Sequence, residues 1–577
     1  MKKQIALVTA LAMLSASLYG CGSNGSDSTG GTADSEETGN TTAEESPDVA
    51  EGEDEVTLAD SVEEMIAMSD AVLDDSRENT SNSDTRYERI VIAMNAAPAD
   101  LLPAGTNDAG KQQLQYEIYE ALAARYEHDG EELWGVIAKS WENVDDLHTV
   151  VTLYDYVHDS EGNAITASDV EFSYNLAINS GLTTGFGVVE KVEAVDDYTV
   201  EFTWSEELGV TDFANVMTEC YIVSEAAYDE DSFITQPIGT GPYCLSEYTA
   251  GVSYTLTPNE DYWQNDDTVL CPLAGRNVQS IRYDVISDKS QQIIAFESGG
   301  IDTVSLAADD LGEFTDGGEY EGVYALYYNP ATNNTGILPN CSENSICSDI
   351  NFRLAMYYAV DANAICEALG SGQFSAPASD SFPGLYDYNK EWENIDSYYN
   401  HYDVELAREY LEKTDYNGET IVCLVDSDTD RDNCAVILQG FLSQIGIDMR
   451  IDSYEHSIAA TYLDDPTMWD ITMSGCGAEG SITLLWDRRY NGANFASGLT
   501  MGFADDDKLQ ELLHTASKTS TYSSEALDEF NQYLIDQAYF YGLYTGINMF
   551  AVNKDFGWFA LNYKGVIIPG GCEYYLD

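Results

Sequence analysis

The sequence predicts a mixed α/β protein with more than one domain, and three observations indicate this. The chain has 577 residues and is 44% hydrophobic, so it can bury more than one core. The stretch VVTLYDYVHDSEGNAITASDVEFSYNLAI contains a strand, a Gly-Asn turn and a helix that begins after Thr166. The stretch GTGPYCLSEYTAGVSYTLTPNEDYW alternates apolar and polar residues in two runs, which predicts a β-hairpin.

The N-terminus has the features of an export signal with a lipid attachment site. Two lysines precede an apolar run from Ile5 to Leu18, which is too short to cross a bilayer. The run ends in Leu-Tyr-Gly-Cys, which resembles the lipobox of bacterial lipoproteins, whose cysteine is acylated and becomes the mature N-terminus. We expect residues 1–20 to be removed and Cys21 to anchor the protein on the extracellular face of the cell membrane.

Residues 21–85 are expected to form an acidic linker. From residue 22 to about 55 the chain has almost no apolar side chain, so it cannot offset the entropy of ordering. Farther on, Val62, Met65, Ile66 and Val72 recur at near-helical spacing, so a short helix there either docks on the folded body or lies on the linker. The folded body is expected to begin near Arg86, where YERIVIAM predicts a buried strand.

Charge and cysteine content exclude some classes of function. The net charge of −78 repels nucleic-acid phosphates and anionic lipid head groups, so we expect no nucleic-acid partner. Ten cysteines besides Cys21 include no C-x-x-C pair, and the chain has six histidines, which argues against a metal site. Export permits disulfides, and the pair Cys341–Cys347 would close the shortest loop. In an anaerobic habitat the cysteines would instead stay as buried thiols.

Three apparent ligand motifs fail in their sequence context. GTNDAGKQ lacks the Ser or Thr of a phosphate loop and does not follow a strand; it is better explained as the loop before the helix KQQLQYEIYEALAARY. DSDTDRDN lacks the glycine and the glutamate of a calcium loop and is expected to cap the next helix. In WDITMSGCGAEGS the glycines spell G-x-G-x-x-G, but Thr500 stands where a dinucleotide site needs an acid.

Several long blocks resemble one family. The chain keeps Ala138, Ser140-Trp141 and Phe172-Ser173-Tyr174 in a long N-terminal block. It continues with PIGTGPYCLSEYTAGVSYTLTPNEDYW, IRYDVISDKSQQIIAFESGGIDTV and CSDINFRLAMYYAVDANAI. In this order the blocks resemble bacterial extracellular solute-binding protein family 5, the oligopeptide-, dipeptide- and nickel-binding proteins of ABC importers. The resemblance extends from Arg86 to about Lys554.

The resemblance implies an α/β, periplasmic-binding-protein-like fold of type II. Such a fold has two lobes joined by two crossover segments, with a ligand cleft between the lobes and an extra inserted subdomain. The implied limits are 86–107, 225–320 and 550–577 for lobe I, 108–224 for the inserted subdomain, and 321–549 for lobe II.

The resemblance also implies a site for a ligand's α-amino group. Aligned on Trp469-Asp470, the family's W-x-x-D-Y segment places Glu479 at the aspartate position, with Cys476 at the tryptophan and Gly480 at the tyrosine. An ammonium enclosed by lobe closure needs a charged acceptor, so we expect Glu479 to bind it beside Gly477. An exposed loop acid is the alternative for Glu479.

Residues after this segment are further candidates for the cleft. Arg488 and Arg489 have the guanidinium geometry that matches a ligand carboxylate, although surface ion pairs explain them equally well. Trp486, Tyr490 and Phe495 are candidates for its aromatic lining.

The function implied by the resemblance is that of a monomeric substrate-binding lipoprotein. It captures peptides outside the cell and delivers them to an ABC permease, without catalysis, cofactor or metal. The alternatives are a sugar or nickel-chelate ligand, an exported acid hydrolase with paired carboxylates, and a receptor or adhesin that kept the fold and lost transport. The absence of G-x-S-x-G and H-E-x-x-H motifs argues against the usual hydrolases.

Overall fold

The computed structural model describes residues 81–576 except 105–108, 129–130, 182–185, 267, 307, 315–316, 331–332, 371–373, 383–384, 386, 428, 478–480 and 493–501. Its α-helices are α1 Ala109–Ile118, α2 Ala167–Ser180, α3 Asp212–Thr218, α4 Glu230–Phe233, α5 Lys289–Glu297, α6 Ala308–Phe314, α7 Ile350–Tyr358, α8 Ala362–Gly370, α9 Val404–Leu411, α10 Thr429–Gln444, α11 His456–Leu463, α12 Ile482–Tyr490, α13 Asp507–Ser517 and α14 Ser524–Gln537. Its strands are β1 Ile90–Met94, β2 Ala123–His128, β3 Glu131–Gly135, β4 Ala138–Asp145, β5 His148–Leu153, β6 Val189–Asp196, β7 Thr199–Trp204, β8 Tyr243–Thr249, β9 Ser253–Pro258, β10 Ile281–Val285, β11 Thr303–Leu306, β12 Ala325–Pro330, β13 Asn333–Pro339, β14 Phe374–Ser375, β15 Ile421–Asp426, β16 Met449–Tyr454, β17 Ile471–Gly477, β18 Tyr541–Val552, β19 Phe556–Trp558 and β20 Glu573–Tyr574.

The long strand β18 belongs to two sheets. Its N-terminal half pairs with β13 in the order β16-β15-β17-β13-β18, and its C-terminal half pairs with β11 in the order β18-β11-β1-β10-β9-β8. Strand β12 pairs with the C-terminal half of β18, whereas β13 pairs with the N-terminal half. The chain therefore passes from one sheet to the other twice, once between β12 and β13 and once within β18.

Lobe I is built on the sheet that contains β1. As the sequence predicts, YERIVIAM forms a buried strand, since Ile90 and Met94 are fully buried, and β8 and β9 form a hairpin. The GTGPY turn before β8 packs against the end of α1. A Cβ on Gly241 would lie 2.5 Å from the backbone carbon of Ile118, so no larger residue fits there. Its close contact with α1 gives this glycine a structural role.

The inserted subdomain contains a four-stranded antiparallel sheet in the order β4-β5-β7-β6, with α2 packed on β6 and β7. Helix α2 begins where the sequence predicts, because the Asp169 carboxylate accepts a hydrogen bond from the backbone N–H of Thr166 at 2.8 Å. The core of this subdomain is aromatic: Tyr174 meets Phe202 edge to face at 4.9 Å, and Phe202 stacks on Trp204. This core holds the subdomain together as a unit.

The predicted helix KQQLQYEIYEALAARY is wrong in its second half, because α1 ends at Ile118 and β2 begins at Ala123. The carbonyls of Ile118, Glu120 and Leu122 accept hydrogen bonds from distant backbone N–H groups instead of continuing the helix. Long-range backbone pairing thus satisfies these groups and overrides the local helix preference.

Lobe II contains the sheet β16-β15-β17-β13-β18 and two hydrophobic cores. One core lies between this sheet and α7, α8 and α10. The other lies among α12, α13 and α14 and includes Trp486, Leu509 and Phe530. Helix α12 joins the second core to the end of β17, and this junction positions the candidate site.

Candidate functional site

Strand β17 carries the stretch in which the sequence places the ligand-binding carboxylate. Residues 471–473 pair with β15, but the rest of the strand extends beyond β15 and pairs with β13, where Asn334 lies opposite Cys476. Gly475 and Gly477 are strand residues, so they do not form the turn of a dinucleotide-binding loop. The strand thus leads out of the centre of the lobe II sheet towards its end.

The connection after β17 is fixed at its far end by a half-buried acid, Asp387. Glu479 and Gly480 lie outside the described residues. Just beyond them, Asp387 accepts a hydrogen bond from the backbone N–H of Ile482 at 2.8 Å and one from Ser481 Oγ at 3.3 Å. Burial raises the pKa of Asp387 to about 6, and the N–H groups at the start of α12 oppose that shift. An ionised Asp387 therefore caps α12 at neutral pH.

A buried polar cluster holds the opposite end of α12. The Asp380 carboxylate binds the Arg489 guanidinium, the Tyr490 hydroxyl at 2.5 Å and the Asn334 amide at 3.0 Å. The Trp486 indole N–H donates to the Asp380 carbonyl at 2.9 Å, and Arg489 also donates to the Asn334 carbonyl at 3.0 Å. The cluster ties α12 to β13 and to the loop around residue 380.

Arg489 is a framework residue. Its side chain is 1% exposed, as is that of Asp380, and its guanidinium lies 3.7 Å from the centre of the Phe540 ring. Burial alone lowers the pKa of Arg489, but the Asp380 carboxylate outweighs this effect and the net shift is upward. The guanidinium already holds a carboxylate, so the expectation that Arg489 receives one from a ligand is corrected.

The expectation that the aromatic residues of α12 line the cleft is also corrected. Trp486 and Tyr490 are completely buried in the core of lobe II and have no surface open to a ligand. Trp486 packs on Trp392 and Phe530 with ring centres 5.9 and 4.8 Å apart. Phe495 lies outside the described residues.

Of the other predicted residues, Arg488 lies near the surface of this region and Cys476 lies near the end of β17. Arg488 lies on α12 between Asp487 and Arg489 and is half-buried. Cys476 is 7% exposed, and its Sγ lies 3.8 Å from the carbonyl of Leu485, so it packs back against α12.

A hollow of about 230 Å³ lies beside α12, between lobe II and the inserted subdomain. Thr483 and Asp487 of α12 line one wall, His514 and Lys518 line another, and Asp212 faces them from the inserted subdomain. Burial raises the pKa of Asp212, and the neighbouring Asp487 adds to the shift, while Gly209 and Lys518 oppose it. Thr483 and Asp487 of α12 therefore border open space between lobe II and the inserted subdomain.

The buried partners of α12 were missed at the sequence level. Asp380 lies in a loop-like Ser- and Pro-containing stretch, 109 positions before Arg489, and nothing local marks it. A usable signal was present in the helix itself: Ile482, Leu485, Trp486, Arg489 and Tyr490 recur at positions i, i+3, i+4, i+7 and i+8. This spacing is typical of a core-facing helix surface.

Several broader features of the described chain bear on function. Within the described ranges, no group of three or more His, Cys, Asp or Glu is placed to hold a metal ion. In the same part of the chain, no helix has both the length and the apolar character that a membrane span requires. None of the ten cysteines from Cys220 to Cys572, all of which the structure describes, forms a disulfide, and Cys341 and Cys347 are not bonded to each other.

Comparison with known proteins places this architecture. The family model for bacterial extracellular solute-binding proteins, family 5 Middle, matches residues 132–483. The chain belongs to this family.

The family 5 chain has relatives that match it over nearly their whole lengths. The probable D,D-dipeptide-binding periplasmic protein DdpA of Escherichia coli (strain K12) is 22% identical over 494 residues, covering 82% of this chain and 92% of DdpA. The oligopeptide-binding protein OppA of Bacillus subtilis (strain 168) is 22% identical over 537 residues, covering 84% of this chain and 91% of OppA.

The fold is shared with solved structures. The ABC transporter substrate-binding protein CtaP of Listeria monocytogenes superposes with a TM-score of 0.71 at 18% identity, covering 85% of this chain and 100% of CtaP. The predicted family and the predicted two-lobed α/β fold are therefore confirmed.

Proposed function

We propose that this family 5 protein is the substrate-binding protein of an ABC importer and that its ligands are peptides. The observation that carries the proposal is the full-length match to proteins named for dipeptide and oligopeptide binding, over 92% and 91% of their lengths. Binding with lobe closure requires differential affinity for the closed state, not a catalytic group.

Glu479 is proposed to accept the α-amino group of the peptide. The residues on either side of its segment support this role: β17 ends at Gly477, and α12 begins at Ile482 with Asp387 as its cap. A segment held at both ends can present a carboxylate in a defined position, which a charge-assisted hydrogen bond requires. Gly480, the next residue, is proposed to belong to the same ligand-binding segment.

Arg488 is proposed to bind the peptide's carboxylate or an acidic side chain. It is a half-buried residue of α12, and a guanidinium matches carboxylate geometry. Cys476, Gly477 and Phe495 are proposed as further residues that line the ligand cleft.

The placement of the protein in the cell is proposed from its N-terminus. Cys21 carries lipid after removal of residues 1–20, and residues 21–85 form the acidic linker between the membrane and the folded body. The protein acts as a monomer and delivers its ligand to the permease. Lobe limits of 86–107, 225–320 and 550–577 for lobe I and 321–549 for lobe II stay a prediction, as does the inserted subdomain at 108–224.

The test is calorimetric titration with penta-alanine and its N-acetylated form. Glu479→Gln is expected to weaken binding of penta-alanine by about 3–5 kcal/mol, because the ammonium loses its charged partner. Acetylation should have the same effect on the wild-type protein. Glu142→Gln, at an exposed acid of the inserted subdomain, is the matched control and should bind normally. Wild-type affinity in Glu479→Gln would reject this role.

A second experiment tests the ligand class directly. Molecules that co-purify with the protein and are released by denaturation are expected to be peptides with free amino termini when identified by mass spectrometry. Release of a sugar or a metal chelate in stoichiometric amount would overturn the peptide proposal and leave family membership intact.

A further inference from the structure

A short contact joins the inserted subdomain to lobe II, separately from the two crossings between the sheets. It consists of residues 206–212 and residues 517–520, which we call the clasp. Gly209 forms an antiparallel bridge with Lys518. The backbone N–H of Val210 donates to the Ser517 carbonyl at 2.8 Å, and that of Thr519 donates to the Leu208 carbonyl at 3.1 Å. The two bodies are therefore paired as two neighbouring strands are.

Side chains complete the clasp. Lys518 Nζ donates to the Glu207 carbonyl at 2.8 Å and lies 3.7 Å from the Glu206 carboxylate, with 13% of its side chain exposed. The backbone N–H of Ser520 donates to Glu207 Oε1 at 2.7 Å. Bringing two acidic bodies together in a chain of net charge −78 costs repulsion. Lys518 places a positive charge at the junction, where it offsets that cost.

Gly209 allows the two segments to approach. Its N–H donates to Asp212 Oδ2 at 2.7 Å, which fixes the turn into α3. A Cβ at this position would lie 3.0 Å from Asp212 Oδ2 and 3.3 Å from the Ser517 carbonyl oxygen. A branched side chain at Gly209 would therefore push the two segments apart.

Open space lies next to the clasp. The hollow of about 230 Å³ that borders α12 is lined partly by Gly209 and Lys518. A second hollow of about 410 Å³ is lined partly by Glu207, Val210 and Ser520. The clasp is a narrow polar bridge between these hollows, without the packed apolar core found within each lobe. Such a contact breaks and reforms at far lower cost than a core.

We propose that the clasp holds the two lobes together and thereby sets the affinity of the cleft, although none of its residues needs to touch the ligand. This inference rests on the proposed function, because it takes the solute to bind between the lobes. The apparent affinity of a cleft is reduced in proportion to the fraction of molecules in the binding-competent state. Contacts that favour the closed arrangement therefore strengthen binding.

The test combines calorimetry with solution scattering on the full chain. Gly209→Val removes the close approach, and Lys518→Gln removes the positive charge together with the hydrogen bond from Nζ to the Glu207 carbonyl. Gly187→Val is the matched control, since a Cβ on that exposed glycine of the same subdomain would meet no atom within 4 Å. Losing two backbone hydrogen bonds of about 1 kcal/mol each is expected to weaken penta-alanine binding at least tenfold in Gly209→Val. The radius of gyration of the ligand-free variant should rise.

Salt gives Lys518→Gln a specific signature. The difference in affinity between this variant and the wild type should be smaller at about 1 M NaCl than at about 0.1 M, because salt screens the repulsion that Lys518 offsets. The proposed role of the clasp is overturned if Gly209→Val keeps both the wild-type radius of gyration and an affinity within twofold of wild type. It is also overturned if the control Gly187→Val shows the same defects as Gly209→Val. If the wild-type protein binds no peptide, the proposed function fails, and the radius of gyration of Gly209→Val still decides whether the clasp holds the lobes.

Discussion

Replacing Glu117 with glutamine is expected to remove a large part of the pH dependence of stability. Glu117 is completely buried at the end of α1. Its Oε1 accepts a hydrogen bond from the backbone N–H of Gly570 at 2.9 Å, and its Oε2 has no hydrogen-bond partner. Burial raises its pKa from 4.5 to about 8, and the Gly570 N–H opposes that shift only in part.

The sign and size of the effect follow from this shift. Because the folded state holds the Glu117 proton up to higher pH than the unfolded state, stability falls as pH rises from about 4.5 to about 8. At 1.36 kcal/mol per pKa unit, this one group costs the wild-type protein about 2.5 kcal/mol between about pH 5.5 and pH 7.5. Glutamine has nearly the same shape and does not ionise, so Glu117→Gln should not incur this loss.

The assay is urea unfolding of the wild type and Glu117→Gln at both pH values. The difference between their unfolding free energies should move by about 2.5 kcal/mol in favour of the variant as pH rises. Other buried acids, such as Glu120 with its pKa raised to about 7 by burial, titrate equally in both proteins and cancel. Glu142→Gln, which changes an exposed acid, should show no such trend. A difference that stays constant with pH would refute the reasoning.

Two further predictions concern the framework of lobe II and the thiols. Asp380→Asn should destabilise the protein by about 3–5 kcal/mol in urea unfolding, because it leaves Arg489 buried without a counter-charge. Adding Arg489→Met to it should recover part of that loss, and a single-variant effect below about 1 kcal/mol would contradict the assignment. Since the described cysteines form no disulfide, a reducing agent should leave the midpoint temperature of thermal unfolding unchanged. A fall on reduction would reveal a disulfide.

Local signals in the sequence were enough to predict several elements. The pairing of Thr166 and Asp169 at the start of α2 is a capping pattern confined to four residues. The hairpin of β8 and β9 is likewise set by short-range alternation and a turn. In both cases the groups that satisfy each other lie within a few positions, so the sequence contains the whole interaction.

The features that the sequence did not predict depend on partners far along the chain. Helix α1 ends at Ile118 although no glycine or proline follows, because the carbonyl there accepts from Gly241, more than a hundred residues later. The role of Arg489 was likewise determined by Asp380, one of 102 acidic residues, and by the Phe540 ring. Composition and spacing could not select these partners. The helical spacing within α12 would, however, have assigned Trp486 and Tyr490 to the core.

Strand β18 also has a consequence for biogenesis. It lies between β13 and β11 and is the last strand of either main sheet to be synthesised. Until residue 552 leaves the ribosome, the β13 edge and the β11 edge both lack their neighbour, so neither lobe can complete its sheet. The inserted subdomain, whose sheet does not use β18, can fold earlier, whereas the two main sheets close together at the end of synthesis.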